Sequence, residues 1–196
     1  MPPGWVKNLF RSKKRIKICL LGPGGAGKTT MLYYMKTGQP PASGKVVLED
    51  GHQMQIRPTH GIDFENFEFE GWNFIACDVG GQQVYRQVFW ELGVRQSPGG
   101  VIFVVDATDR ANIAENRKIF EYAVSLLNDG IPVLVMANKQ DLRDKNPMTE
   151  EEILESYGVD NLLKGHSVHV VKTSGMYGDG LKEAFEYLVD KVREQK

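Results

Sequence analysis

The chain has 196 residues, 41% of them hydrophobic and 25% charged, with 24 basic and 25 acidic side chains for a net charge of −1. That length supplies one domain with a full core and is short for two. No apolar stretch approaches the roughly 20 residues that cross a bilayer, and the start lacks the pattern of a signal peptide, so neither a transmembrane nor an exported protein is expected. The charge is unevenly spread. Residues 1–17 hold Lys7, Arg11, Lys13, Lys14, Arg15 and Lys17 and no acidic residue, so a chain of net −1 carries −7 on residues 18–196. A nucleic-acid-binding protein spreads its basic residues over a folded face; a local basic end reads instead as a tail with its own partner, and no nucleic acid. The expected division is a basic segment over 1–15 and a folded domain over 16–196. Trp5, Val6, Leu9 and Phe10 recur so that a helix over 3–12 places all four on one face, with Lys7 and Arg11 toward the other. An anionic membrane surface is the partner that fits, reached reversibly from the cytoplasm. The two cysteines, Cys19 and Cys77, lie in apolar strand-like runs and read as buried free thiols of a reducing compartment, without a Cys or His neighbour at metal-ligand spacing.

Along the chain, the apolar run Ile16 to Leu21 predicts a first strand, and Lys28 to Lys36 a helix ended by Gly38, Pro40 and Pro41. Residues 39–60 are polar and rich in turn formers apart from Val46 to Leu48, and read as a mobile loop. IDFENFEF then alternates, with Ile62, Phe64, Phe67 and Phe69 as its apolar members and one slip of phase near Asn66. Glu70-Gly71 turns it into WNFIACDVG, a hairpin in which a bulge is one account of the slip. GVIFVVD (100–106) and IPVLVMANK (131–139) are continuous apolar runs, the mark of parallel strands covered on both faces, and HSVHVVKTS (166–174) is a weaker third. Helical periods cover Ala111 to Leu127, then Thr149 to Tyr157 opened by a Thr149/Glu152 capping box, and a last helix with Leu181, Phe185, Leu188 and Val192 on one face. The expected fold is α/β: a mostly parallel six-stranded sheet with helices on both faces and one antiparallel edge hairpin.

Residues 22–30, GPGGAGKTT, follow the first strand and open the first helix. Gly22, Gly24, Gly25, Ala26 and Gly27 leave backbone N–H groups free to converge on an anion, and the helix start at Lys28, Thr29 and Thr30 turns its positive end toward it. Lys28 reaches β- and γ-phosphates and the Thr29 hydroxyl is a ligand for Mg²⁺. A glycine-rich turn that merely joins strand to helix is the plainer alternative, and the loop alone leaves the nucleotide open. DVGGQ (78–82) ends the third strand: Asp78 can hold Mg²⁺ through water, the Gly81 N–H can meet a γ-phosphate, and Gln82 can orient an attacking water. NKQD (138–141) carries guanine chemistry. The Asp141 carboxylate accepts from the ring N–H and exocyclic amine, Asn138 serves the other edge and the loop wall, and the Lys139 stem covers the ring plane. In TSG (173–175), beside Ser174, the Gly175 N–H can reach the guanine O6.

GPGGAGKTT, RPTHGIDFENFEF, DVGGQ, GVIFVVDATDR, ANKQDL and TSGMYGDGL, in this order and spacing, resemble the Arf and Arf-like family of small GTPases over residues 16–196. The resemblance implies a P-loop G domain, a GTP/GDP switch with Mg²⁺ and two switch loops. It also implies a hairpin between them that shifts register on activation, and membrane recruitment through an N-terminal amphipathic helix. Thr59 becomes the switch threonine that completes the Mg²⁺ shell, and catalysis falls to Gln82, Lys28 and Thr59. An exchange factor, an activating protein and effector proteins are the implied partners. The chain departs from the family at Pro2, where a lipidated member carries glycine; at Gly24, usually acidic; at Ile62 and Cys77, usually aromatic; and in a longer loop from Gly38 to Arg57. Arg57 is either an internal arginine finger or a solvated loop residue. Two other readings stand beside the switch: a GTP-binding scaffold with little turnover, and a P-loop small-molecule kinase, for which the expected cluster of lid arginines is not found.

Overall fold

The computed structural model describes residues 14–41, 45–47, 53–55, 59–69, 71–96 and 99–194, with the backbone alone at 45–47, 53–55 and 85. The tail residues Trp5, Val6, Leu9 and Phe10, as well as Pro2 and Arg57, lie outside them. Strands β1 (Lys14–Leu21), β4 (Ile62–Phe69), β5 (Trp72–Val79), β6 (Val101–Asp106), β7 (Val133–Asn138) and β8 (Val168–Lys172) form one sheet in the order β4-β5-β1-β6-β7-β8. All neighbours run parallel except β4 and β5. The strand order reverses at β1, and in such sheets the crevice at the carboxyl ends beside that reversal receives ligands. Lys14 and Arg15, grouped with the tail in the sequence reading, are residues of β1.

The continuous apolar runs divide by alternation between two cores. Cys19, Leu21, Cys77, Val79, Val101, Phe103, Val133 and Val135 face helices α2 (Gln83–Arg95), α3 (Ile113–Ser125) and α4 (Glu150–Tyr157). Ile16, Ile18, Leu20, Phe74, Ile102, Val104, Leu134 and Met136 face α1 (Lys28–Thr37) and the last helix, α6 (Leu181–Glu194). Helix ends follow local chemistry. Gly38, at φ 67°, ends α1 with its N–H on the Tyr34 carbonyl, and Thr149 with Glu152 forms both bonds of the capping box on α4. Among the described residues no helix is long and apolar enough to cross a membrane.

The structure adds elements and corrects one detail. The polar stretch 39–60 contains a short antiparallel pair, β2 (Lys45–Val47) with β3 (Gln53–Gln55), and α2 and the four-residue α5 (Val159–Leu162) were not anticipated. The slip near Asn66 is not a bulge: β4 and β5 pair without interruption from Ile62↔Val79 to Phe69↔Trp72. Instead β4 changes the face it buries. Ile62 packs on the α2 side, whereas Phe67 and Phe69 pack on the α6 side, with Phe67 stacked on Phe74 at 5.2 Å and edge-on to Phe185 at 5.4 Å. Phe64, on the first face, is 52% exposed. Phe67→Ala is therefore expected to cost about 3–5 kcal/mol of stability and Phe64→Ala less than about 0.5 kcal/mol, as measured by urea denaturation at fixed nucleotide.

Candidate functional site

The loop after β1 is shaped by glycines at three positive-φ positions, Gly22 (139°), Gly25 (77°) and Gly27 (97°). A side chain at Gly22 would run into the Val104 carbonyl and one at Gly27 into the Asn138 amide. The Lys28 ammonium lies inside the loop, donating to the Gly22 and Pro23 carbonyls at 2.9 and 3.0 Å. Burial pushes its pKa down to about 8, with the nearby Arg86 charge acting in the same sense and Asp78 opposing. A multiply charged anion in the loop would favour the protonated form further.

Beside the loop, three oxygens from distant segments meet. The Thr29 hydroxyl donates to Asp78 Oδ2 at 2.7 Å, the Thr59 hydroxyl reaches the same oxygen at 3.1 Å, and the two hydroxyls lie 3.0 Å apart. Asp78 is 2% exposed, and burial pushes its carboxyl above the usual range, against the pull of Lys28 and the two threonines. Its Oδ1 is buried without a hydrogen-bond partner among the described residues. A carboxylate with one orphaned oxygen and two adjoining hydroxyls makes a hard-oxygen donor set. No group of three or more His, Cys, Asp or Glu among the described residues could hold a metal by itself. Mg²⁺ that also takes phosphate oxygens needs only one or two carboxylates, so the residues fit that ion.

The segment after β5 closes this end. A Cβ on Gly81 would strike the Gly22 carbonyl oxygen and the Pro23 and Gly24 backbone, so only glycine lets this chain approach the loop so closely. Gly80 donates to the Gly61 carbonyl at 2.9 Å, which ties Thr59 and its neighbours to DVGG, and the buried Trp90 donates from Nε1 to the Gly80 carbonyl at 3.2 Å. Gln82 is exposed at the start of α2, and a Cβ on Gly24 would lie 3.8 Å from its Cγ.

At the far end, Asn138 is a buried strut. Its amide donates to the Ala26 carbonyl at 2.8 Å, and its Oδ1 accepts from the Gly175 N–H at 2.8 Å and the Thr173 hydroxyl at 3.3 Å. Lys139, at φ 70°, places its ammonium 2.6 Å from Asp106 Oδ2. The Ser174 hydroxyl donates to Asp141 Oδ1 at 2.8 Å and accepts from the Tyr177 N–H at 3.1 Å. GPGGAGKTT, DVGGQ, NKQD and TSG are thus brought to one edge of the sheet. Sequence reasoning from the residues alone missed Thr59, Asp106 and Trp90. Thr59 sits in a polar loop that no periodicity marks, Asp106 ends an apolar run, and Trp90 belongs to the unanticipated α2. Asn138→Ala removes both ends of the strut and is expected to destabilise the nucleotide-free domain by about 1–3 kcal/mol, measured by urea denaturation.

The chain matches the model of the ADP-ribosylation factor family over residues 4–192. It is 31% identical over 199 residues to ADP-ribosylation factor-like protein 1 of Caenorhabditis elegans, covering 98% of this chain and 99% of that protein. Its fold is similar to that of the Arl6 BBS3 small GTPase from Trypanosoma brucei, solved with the nucleotide analogue GppNp. There the TM-score is 0.76 at 24% identity, over 93% of this chain and all of that one.

Proposed function

Because the chain belongs to the ADP-ribosylation factor family of small GTPases, whose members bind GTP and GDP and are GTP hydrolases, we propose that it is a Mg²⁺-dependent GTP/GDP switch recruited to membranes through its N-terminal segment. The observation that carries this reading is the meeting of Thr59 with Thr29 and Asp78, thirty and nineteen residues distant in sequence, beside a loop shaped for phosphates. The loop amides of residues 24–30 and Lys28 bind the phosphates, and Thr29, Thr59 and Asp78 hold the ion, which when bound screens phosphate charge. The Gly81 N–H meets the γ-phosphate, and Gln82 orients water for attack upon it. Asp141, oriented by Ser174, accepts from the guanine donors; Lys139, anchored on Asp106, covers the ring; and the Asn138 strut ties the phosphate loop to the TSG segment by taking up the Gly175 N–H, which is therefore not the donor to guanine O6 that the sequence suggested. Adenine offers Asp141 no matching pair of donors.

The folded domain corresponds to 16–196 in this reading, extended by the first residues of β1, and the preceding segment is the membrane anchor. Its four apolar side chains and basic residues give modest affinity without a lipid chain, with each cation near an anionic surface worth about 1 kcal/mol. Attachment is therefore reversible, with the protein moving between cytoplasm and membrane under an exchange factor and an activating protein and presenting its GTP form to effectors.

Three measurements test the reading. Asp141→Asn exchanges an acceptor for a donor and is expected to shift preference from guanine to xanthine nucleotides in competition binding; unchanged GTP preference removes Asp141 from the base site. Intrinsic phosphate release from GTP is expected to be slow, and slower on the order of tenfold in Gln82→Leu, where nothing positions the water; a scaffold without turnover would release none in either protein. Co-sedimentation with anionic liposomes is expected to be stronger with a GTP analogue than with GDP, to weaken with salt, and to vanish on deletion of residues 1–12. Equal sedimentation in both states would detach the tail from the switch.

A further inference from the structure

The two cysteines of the chain stand directly opposite one another on neighbouring parallel strands, Cys19 on β1 and Cys77 on β5. Neighbouring strands lie about 5 Å apart, within the Cα separation that a disulfide spans. Alternation turns both side chains toward the α2 face. There they meet under one backbone position: a methyl placed on Gly93 of α2 would lie 2.8 Å from Cys19 Sγ and 3.4 Å from Cys77 Sγ. Both are free thiols, Cys19 wholly buried and Cys77 2% exposed. Neither the phosphate loop, the ion ligands nor the base clamp uses them.

Their place in the sheet gives the pair leverage. β4 and β5 form an edge hairpin joined to the rest of the sheet through β1 alone. Cys77 immediately precedes Asp78, and β1 runs directly into the phosphate loop. We propose that Cys19 and Cys77 form an oxidation site whose disulfide staples the edge hairpin, and Asp78 with it, to the strand that carries the phosphate loop. Only the functional consequence rests on the nucleotide-switch reading. A slide of β5 along β1 that keeps side chains on their faces moves two residues, about 6.6 Å. It would separate the two Cα atoms to about 8 Å, beyond bridging distance. The disulfide therefore holds the register in which Asp78 meets Thr29.

The oxidant is a peroxide. Hydrogen peroxide oxidises the more exposed Cys77 thiol to a sulfenic acid, breaking the O–O bond and releasing one water. The Cys19 sulfur then attacks the Cys77 sulfur, the S–S bond forms, and the sulfenic oxygen leaves as a second water with the Cys19 proton. Two thiols lose two electrons and one peroxide becomes two waters.

The test exposes the whole chain, loaded with a fluorescent non-hydrolysable GTP analogue, to hydrogen peroxide, followed by alkylation under denaturing conditions and intact mass measurement. Expected is a monomer lighter by two hydrogens with no alkylatable thiol, releasing the analogue several-fold more slowly than the same sample after reduction with dithiothreitol. Added oxygen without a disulfide would overturn the oxidation site. So would a disulfide-linked dimer, or two intact thiols under peroxide that consumes glutathione. A disulfide with unchanged release would overturn the staple. Cys19→Ser is similar in shape, though smaller, and cannot bridge, and its release is expected to be insensitive to peroxide. Loading of the reduced protein is measured first, so a failure of nucleotide binding appears there, while the mass still decides whether the bridge forms.

Discussion

A loop that must bring backbone amides to an anion can carry few side chains, and so has little with which to hold its own shape. The segment 22–27 depends on groups supplied from elsewhere. Asn138 holds the Ala26 carbonyl, Lys28 ties the Gly22 and Pro23 carbonyls, Val104 leaves no room for a side chain at Gly22, and Gly81 packs its backbone against the Gly22 to Gly24 peptides. Every brace comes from the carboxyl end of a strand of the sheet or from the first turn of α1. The Asn138 strut is satisfied at both amide atoms, so it fixes the loop without leaving a buried polar group unpaired. The sheet topology is thus a condition of the site: with the strand order reversing at β1, the braces reach the loop from both sides.

What could be read in the sequence follows from the same physics. Strands buried on both faces are apolar without interruption, so β6 and β7 stand out, β1 shows the same mark only over Ile18 to Leu21, and glycine or proline punctuation marks the ends of α1 and the turn into β5. Motif spacing marks the loops because their residue types are dictated by phosphate and base. Thr59 escapes such reading, since one hydroxyl in a polar stretch has no pattern around it, and only resemblance to a family picked it out. Helix α2 escaped for a different reason. Its inner face buries Trp90 and Val94, but Val84, Val88 and Leu92 on the outer side are 72%, 61% and 45% exposed, so apolar residues occur all round and no helical stripe appears.

The apparent defect in β4 has a related origin. A period-two pattern that slips by one suggests an inserted residue, because it presumes that the strand buries one face throughout. At the sheet edge that presumption fails. The first half of β4 lies beside α2, the second half beside α6, and the apolar residues move from one face to the other while the hydrogen-bond ladder continues unbroken.

The site is divided along the same line. Asn138, Lys139, Asp141, Ser174 and Gly175 belong to the ends of β7 and β8, on the far side of β6, and their bonds run to one another, to Asp106 and to Ala26. Thr59, Asp78, Gly81 and Gln82 belong to the hairpin side, which reaches the rest of the sheet through β1 alone. A ligand gripped at one end by the first group and touched at the other by the second bridges the two halves of the sheet that meet at β1. In the reading proposed for this chain the base falls to the first and the terminal phosphate to the second. Loss of that phosphate would then remove contacts from the hairpin side while leaving those of the base side in place, which is the asymmetry a switch requires.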